Sequence, residues 1–208
     1  MAIGIFGGTF DPVHNAHLQM ALEAKSSLRL DEVRLVPCHR PPHRDSPTLS
    51  SEQRLELLYI AIRDLPGLVI DERELKRDHS SYTVDTLLSF REELGQEISL
   101  VLMVGLDAFI HLTQWYQWQR LRKLAHIAVM LRPGCPLPNN GILAEWLSMV
   151  DAQTIIHQQA AGGLLLLEQS LLPISATAIR QQLAEGQLVN NTPPLVAEYL
   201  QSLKFKWK

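Results

Sequence analysis

The amino-acid sequence predicts an α/β fold, a doubly wound and mostly parallel sheet with helices on both faces. Three observations lead to this prediction. Short apolar segments typical of strands alternate along the chain with segments of helical period. A glycine pair directly follows the first of these strands. The chain has 208 residues, 46% of them hydrophobic and 20% charged, which suits one globular domain with its own core.

Six strand signals define the predicted sheet. Each is a short run of mainly apolar residues that ends at a turn or a helical segment. The predicted strands are Ile3–Phe6, Glu32–Pro37, Leu68–Ile70, Ile98–Val104, Ile127–Arg132 and Leu164–Leu167.

The helical segments carry apolar residues at spacings of three and four. A Ser50-x-x-Gln53 capping box opens a stripe that runs from Leu55 to Ile62. A shorter stripe runs from Val84 to Leu88, and the last runs from Val196 to Leu203 after two prolines. We expect one domain over residues 1–208, with 174–208 as its C-terminal helical part.

Composition and charge exclude several classes of function. The formal net charge of −3 gives no general attraction to nucleic acid, and no apolar run approaches the roughly 20 residues that span a bilayer. Two distant cysteines, Cys38 and Cys135, in no metal-binding spacing, and a first strand with no signal peptide before it favour the cytoplasm.

The first strand-to-helix junction has the strongest functional signal. Gly7-Gly8 leaves backbone N–H groups accessible after the strand, and His14 and His17 lie three residues apart in the first turn of the helix that follows. Bare N–H groups and the helix dipole favour an anion there, and imidazoles add donors near pH 7. This junction predicts a phosphate-handling active site at the carboxyl end of the first strand, where ligands bind in such sheets.

A second junction, near the C-terminus, points to the same chemistry. Ser175 is a natural helix N-cap, and Thr177 and Arg180 lie three residues apart behind it. A guanidinium suits phosphate because it donates two parallel hydrogen bonds. A capped helix with a solvated arginine is the alternative that this segment alone leaves open.

Three further segments are candidates for ligand contacts. The proline-rich loop of residues 39–44 places Arg44 for an anion, on which Arg54 could converge, and no carboxylate or thiolate completes a metal site with its histidines. The start of a helix at residues 81–86 offers N–H groups to a carboxylate, although simple capping explains it equally well. Asp107 follows a strand, where an acid can accept from a ribose hydroxyl; among the aromatic residues at 115–118, one could stack on a flat ring. Arg132, at the end of another strand, is a weaker phosphate candidate.

The segment Gly7-Gly8-Thr9-Phe10-Asp11-Pro12-x-His14-x-x-His17 resembles the GGxFDPxHxGH signature of the nucleotidylyltransferase superfamily. The segment from Ile174 to Arg180 is similar to the ISSTxIR motif of the same superfamily. Ala16 stands where the family has glycine, and we expect it to be tolerated provided that the backbone there is helical. Ala176 replaces a serine of the second motif and removes one hydroxyl.

Between the two motifs lie Pro-Pro-His-Arg at 41–44, a helix that begins near Arg54, Ser-Tyr-Thr-Val-Asp-Thr at 81–86, and Gly105-x-Asp107 followed by a tryptophan. With the segment 174–180 after them, the order of these middle motifs resembles the bacterial nicotinate-nucleotide adenylyltransferases over nearly the whole chain. This resemblance implies a Rossmann-like fold and transfer of AMP from ATP to nicotinate mononucleotide. It implies catalytic roles for His14, His17 and Arg180, and ATP contacts for Gly7, Gly8, Thr9, Phe10, Gly105, Asp107, Ser175 and Thr177. It implies mononucleotide contacts for Arg44, Tyr82, Thr83, Val84, Trp115 and Tyr116. Magnesium is expected on ATP phosphates and water, with no protein ligand set. Neither a nucleic-acid nor a membrane partner is expected, and a homo-oligomer is left open.

Two other functions remain open from the sequence. Pantetheine-phosphate adenylyltransferases share the first and last motifs but are typically shorter and lack the middle ones. A non-catalytic regulator that binds nucleotide is the alternative from a different class, and retention of both histidines and Arg180 argues against it. Class I aminoacyl-tRNA synthetases share an HxGH element, but this chain is too short for one.

Overall fold

A six-stranded, entirely parallel sheet forms the centre of the protein. The computed structural model describes residues 1–40, 46–131, 134–168, 172–203 and 207. Its strands lie in the order β3-β2-β1-β4-β5-β6. They are β1 (Ala2–Gly8), β2 (Glu32–Pro37), β3 (Leu68–Ile70), β4 (Ser99–Gly105), β5 (His126–Met130) and β6 (Leu164–Leu167).

All six predicted strands are present, and the predicted fold class is confirmed. Three strands have the predicted bounds, and the others differ by one or two residues at their ends. The predicted end of the fifth strand, at Arg132, lies outside the described residues, and β5 itself ends at Met130.

The described residues contain eight α-helices and three short 3-10 helices, and all but the last two α-helices lie between strands. The α-helices are α1 (Asn15–Ser27), α2 (Ser51–Ile62), α3 (Thr83–Leu94), α4 (Leu106–Phe109), α5 (Leu121–Leu124), α6 (Gly141–Leu147), α7 (Ala176–Ala184) and α8 (Pro194–Ser202). The 3-10 helices are Leu112–Gln114, Trp118–Arg120 and Gln153–His157.

The predicted capping box at the start of α2 is confirmed. The Ser50 hydroxyl accepts the Gln53 N–H at 3.2 Å, and the Gln53 side chain accepts the Ser50 N–H at 2.9 Å. Both hydrogen bonds satisfy backbone N–H donors that would otherwise have no partner at the start of the helix.

Side-chain alternation along β1 divides the core into two layers. Ile3 and Ile5 pack on one face of the sheet with residues of α3 and α5, whereas Phe6 packs on the other face with residues of α1, α2 and α8. Successive side chains of a strand point to opposite faces, so both faces of a buried strand must be apolar. This is why helices cover the sheet on both sides.

The strand order reverses direction between β1 and β4. Phe6 of β1 pairs with Met103 of β4, and on its other side Gly8 pairs with Pro37 of β2. The connections from β1 and from β4 leave on opposite faces, so their ends separate and open a crevice. No helix in the described part of the chain is long and apolar enough to cross a membrane.

Candidate active site

A cavity of about 1110 Å³ lies at the carboxyl ends of β1 and β4. Its walls come from both predicted junctions and from the start of α3. Thirteen of the candidate residues named above line it: Gly7, Gly8, Thr9, Phe10, His14, His17, Thr83, Gly105, Asp107, Trp115, Ser175, Thr177 and Arg180.

The two histidines stack at the N-terminus of α1. Their ring centroids are 3.7 Å apart with an interplanar angle of 18°. His14 is the N-cap, and its backbone N–H donates to Nδ1 of His17 at 3.3 Å. Because Nδ1 of His17 accepts, its proton is on Nε2 in the neutral ring. In the neutral ring, Nε2 is therefore the donor atom of His17.

Phe10 packs against His17 of this histidine pair. Its ring meets the His17 ring edge-on at a centroid distance of 5.0 Å, and its backbone has a positive φ of 50°. A Cβ on Gly8 would lie 2.8 Å from the Phe10 ring, so a side chain there would force the ring to move. A Cβ on Gly7 would meet nothing within 4 Å. The strand end therefore presents bare backbone at Gly7 and close packing at Gly8.

The substitution of alanine for glycine at position 16 fits the local backbone. Ala16 lies within α1, and it is not among the residues with positive φ. The condition on which we expected alanine to be tolerated, a helical backbone at position 16, is therefore met.

Arg180 faces the histidines' loop from the first turns of α7. Its Nη1 donates to the backbone carbonyl of Asp11 at 2.6 Å, and its Nη2 donates to the Thr177 hydroxyl at 3.3 Å. Ser175 caps α7, since its hydroxyl accepts the Ala178 N–H at 3.2 Å. The predicted cap is confirmed, and the predicted contact between the Thr177 hydroxyl and the Arg180 guanidinium is present.

Asp11 connects Arg180 to a second loop. Its carboxylate lies 3.6 Å from Arg180 Nη1 and accepts the N–H groups of Thr48 at 2.8 Å and Leu49 at 2.9 Å. Asp11 is buried, so the charge-assisted bonds are shielded from water. No role for Asp11 follows from the local sequence, where it is only one residue of the first motif.

Arg54 does not converge on an anion, and that prediction is wrong. The side chain is 1% exposed, and Nη1 donates to the backbone carbonyls of Thr9 and Cys38, both at 2.7 Å. Nη2 donates to the Ser51 hydroxyl at 2.9 Å. Burial lowers the pKa of Arg54 from its very high ordinary value, but the group stays cationic. It holds the ends of β1 and β2 together.

The wall near β4 comes from Gly105, Asp107 and Trp115. Asp107 is exposed, and Trp115 is half-buried with part of its surface in the second core layer. A Cβ on Gly105 would lie 2.6 Å from the Asp107 carboxylate, so glycine lets that carboxylate fold back over the strand end.

The start of α3 divides the remaining candidates. Thr83 lines the cavity, whereas Val84 is buried in the core and can contribute only backbone. Tyr82 and Tyr116 are not among the cavity-lining residues; their rings pack together with centroids 4.7 Å apart. Arg44, Arg132 and the rest of residues 41–45 and 132–133 lie outside the described part of the chain.

Glu74 also lines the cavity, although no sequence pattern predicted it. It is 7% exposed and accepts the Thr86 hydroxyl at 2.6 Å. Burial raises the pKa of the Glu74 carboxyl above its ordinary value, and the hydroxyls of Thr86 and Ser81 oppose that rise.

The carboxylates at the cavity do not form a metal-binding set. Both oxygens of Asp11 already accept N–H groups, Glu74 is engaged by hydroxyls, and Asp107 is a single exposed acid. Among the described residues no group of three or more histidine, cysteine, aspartate or glutamate side chains could hold a metal ion. These residues fit a cation held chiefly by a ligand's own phosphates.

Comparison with known proteins identifies the class to which this fold and site belong. The chain belongs to the cytidylyltransferase-like family, whose family model matches residues 5–182. Its relatives include the probable nicotinate-nucleotide adenylyltransferase of Cellvibrio japonicus, 48% identical over 89% of this chain and 88% of the relative. That of Aeromonas salmonicida is 44% identical over 95% of this chain and 94% of the relative. Within the family the chain belongs with the nicotinate-nucleotide adenylyltransferases, which are nucleotidyltransferases.

Solved structures share the fold. Plasmodium falciparum nicotinic acid mononucleotide adenylyltransferase, complexed with NaAD, superposes with a TM-score of 0.71 at 19% identity, covering 96% of this chain and 94% of that one. A putative nicotinate-nucleotide adenylyltransferase from Vibrio parahaemolyticus gives a TM-score of 0.62 at 20% identity, covering 96% and 99%.

Proposed function

We propose that this protein catalyses adenylyl transfer from ATP to nicotinate mononucleotide, giving nicotinate adenine dinucleotide and pyrophosphate, a step of NAD biosynthesis. The observation that carries the proposal is the stacked His14–His17 pair facing Arg180 across a cavity bounded by the start of α3. The family membership of the chain supports the same reaction.

The chemistry is an in-line displacement at the α-phosphorus. An oxygen of the mononucleotide phosphate forms the new P–O bond, and the bond from the α-phosphorus to the oxygen shared with the β-phosphate breaks. Pyrophosphate leaves with the electron pair. Such transfers need positioning and charge stabilisation rather than covalent help from the protein.

His14 and His17 hold the α- and β-phosphate oxygens in this proposal. His17 donates from Nε2, because its Nδ1 already accepts the His14 N–H. A donor placed where negative charge develops stabilises the transition state more than the ground state. Arg180, with Ser175 and Thr177, binds the β,γ end of ATP. Magnesium bound to the phosphates, when present, supplies further neutralisation of that charge.

The backbone of Gly7, Gly8, Thr9 and Phe10 forms the cradle for the nucleotide, and Gly105 and Asp107 contact its adenosine part. Because Gly7 has no side chain, the nucleotide can approach its backbone closely. A Cβ at this position would project into open space.

The mononucleotide binds on the α3 side of the cavity. Trp115 stacks on the pyridine ring, and backbone N–H groups near Thr83, Val84 and Tyr116 select carboxylate over amide, next to the Tyr82 N-cap. The N–H groups of Asp85 and Thr86 both donate to the Tyr82 carbonyl, so the accessible donors of this helix end are those before them. Arg44 contacts the mononucleotide phosphate.

Residues 1–208 act as one catalytic domain, with 174–208 as the C-terminal helical part that supplies Arg180. The reaction takes place in the cytoplasm; Cys38 and Cys135, both in the described part of the chain, form no disulfide, as a reducing compartment requires.

Pyrophosphate release with ATP and magnesium tests the proposal. Nicotinate mononucleotide, nicotinamide mononucleotide and phosphopantetheine are compared as acceptors at equal concentrations. We expect strong preference for the nicotinate form. Release with phosphopantetheine alone would reassign the acceptor, and ATP binding with no release from any acceptor would indicate a nucleotide-binding regulator.

A further inference from the structure

A buried hydrogen-bond network lies directly behind the start of α3. Its centre is Glu74, on the connection between β3 and α3, whose carboxylate accepts the Thr86 hydroxyl at 2.6 Å. Arg77 Nη1 donates to the same hydroxyl at 2.9 Å. The Thr86 hydroxyl is therefore committed twice, as donor to Glu74 and as acceptor from Arg77.

The other arm of the network runs through Ser81. The Ser81 hydroxyl bonds to the Glu74 carboxyl and also accepts the His39 N–H at 3.2 Å. Glu74 thus contacts residues on both sides of the α3 N-cap, Ser81 before it and Thr86 after it. The backbone between these two contacts contains the N–H groups of Thr83 and Val84, two of the three positions proposed to bind the substrate carboxylate.

The network also compensates charge. Glu74 is buried at the edge of a cavity that is proposed to receive a carboxylate, and an uncompensated acid there would repel it. Arg77 is the cation on the same network, and its Nη2 donates to the Asp85 carbonyl at 3.2 Å. The pair keeps the helix start aligned without presenting a net charge to the cavity.

We infer that Glu74 is a positioning residue for acceptor specificity: by fixing Ser81 and Thr86 it sets the direction of the N–H groups that distinguish a pyridine carboxylate from the corresponding amide. This inference rests on the proposed function. Glu74 acts through the two hydroxyls and does not itself contact the substrate. Glu74, Ser81, Thr83 and Thr86 all line the same cavity, and all four belong to the segment 74–86 that leads into and begins α3, the side proposed for the acceptor.

The test compares Glu74→Ala, Glu74→Gln and Thr86→Val with the wild type. Glutamine can still accept from Thr86 and donate to Ser81, so we expect it to retain most of the acceptor preference. Alanine leaves both hydroxyls without their acceptor, and valine removes one of them. For Glu74→Ala we expect KM for nicotinate mononucleotide to rise about 10-fold, because both hydrogen bonds to the buried carboxyl are lost and the N–H groups between them lose their fixed direction. KM for ATP should change less than about twofold, because the ATP contacts lie elsewhere.

Glu72→Ala is the matched control. Glu72 lies two residues away, and its carboxylate also accepts a hydroxyl, that of Tyr59 at 2.6 Å, but it does not line the cavity. Its acceptor preference should equal that of the wild type. If Glu74→Ala fails to fold, Thr86→Val decides the test, and we expect it to lower the preference for the nicotinate form in the same direction.

The outcomes separate this inference from the proposed function. A wild type that releases no pyrophosphate with nicotinate mononucleotide overturns the proposed function. A wild type that prefers it, with Glu74→Ala and Thr86→Val retaining that preference, overturns the role of Glu74 alone. A parallel rise of both KM values, or a glutamine variant as impaired as alanine, also counts against positioning of the acceptor.

Discussion

The backbone carbonyl of Asp11 accepts a hydrogen bond from the Arg180 guanidinium, and the Asp11 carboxylate lies close to the same group. The two residues are 169 positions apart in the sequence. The same carboxylate accepts two N–H groups from the loop at Thr48 and Leu49. One buried acid therefore aligns the arginine proposed for the triphosphate with the loop that enters α2.

Asp11→Asn tests this alignment. The amide presents one oxygen and one NH₂ group, so one of the two loop N–H groups loses its acceptor and Arg180 loses its counter-charge. We expect the free energy of unfolding to fall by about 1–3 kcal/mol, since charge-assisted bonds are lost, and KM for ATP to rise about 10-fold. Urea unfolding and steady-state kinetics measure both. Asp31→Asn is the control, because Asp31 also accepts a backbone N–H, that of Ala2 at 2.7 Å, away from the cavity; an equal rise in its KM for ATP would contradict the prediction.

His17→Ala tests transition-state stabilisation. We expect kcat to fall by about 10²–10³, with the Kd for ATP changed much less, because the donor is used mainly as charge develops on the leaving group. Single-turnover kinetics and ATP titration separate the two effects. His111→Ala is the control, since His111 is exposed and does not line the cavity. Wild-type kcat in His17→Ala would remove His17 from the mechanism.

The two glycines at the end of β1 should respond differently to alanine. Gly8→Ala places a methyl 2.8 Å from the Phe10 ring, and we expect a loss of about 1–3 kcal/mol in stability through overpacking. Gly7→Ala meets no protein atom within 4 Å, so stability should hold while KM for ATP rises. Thermal unfolding and kinetics of both variants check this. Equal destabilisation of the two would show that the cradle is strained at both positions.

His126 predicts how stability depends on pH. Its Nδ1 accepts the Gly163 N–H at 2.9 Å and its Nε2 contacts the Gln159 carbonyl at 2.9 Å, so the neutral ring is required. Burial lowers the pKa of His126 below its ordinary value of 6.5, although the Gln159 carbonyl and Asp151 oppose this. Below pH 6.5 the unfolded chain binds the proton first. The stabilisation is therefore complete above pH 6.5 and is lost as pH falls through the lower folded-state pKa.

Urea unfolding of wild type and His126→Gln between pH 7.5 and 5 measures this effect. The wild type should be the more stable at pH 7.5, and its advantage should shrink on acidification by about 1.4 kcal/mol for each unit of pKa depression. Asp71 and Glu93 have lowered pKa values through their contacts with Arg73 and Arg34, so they titrate below this range. If the difference in unfolding free energy between the two proteins stays constant across this pH range, His126 is not the source of the pH dependence.

The sequence predicted the sheet well because its strands are buried. Leu164–Leu167 and Glu32–Pro37 have the bounds expected, since apolar runs between turn signals leave few alternatives. The order of the strands within the sheet was not predicted. The sequence indicated only that a switch point lies beyond the end of β1.

The candidate site was predicted where side chains act locally and missed where they act at a distance. Ser175 and the histidine pair are recognisable from spacing of a few residues. Arg54 and Glu74 are not, because a charged residue near a helix start or within the charged segment 71–78 is typical of solvent exposure. Their burial depends on carbonyls and hydroxyls supplied by other loops, which no local pattern records.

Arg54 has a consequence for how ligands enter. Regular pairing of β1 and β2 ends near Gly8 and Pro37, and beyond it the guanidinium spans the carbonyls of Thr9 and Cys38. A rigid planar group thus sets the separation of the two loops before any nucleotide arrives. ATP meets a cradle whose width is already fixed at this point, so binding there does not have to supply the entropy of ordering those backbones. ATP should therefore bind to the β1 side of the cavity as to a preformed surface. Any closure that accompanies the reaction must come from other parts of the cavity wall.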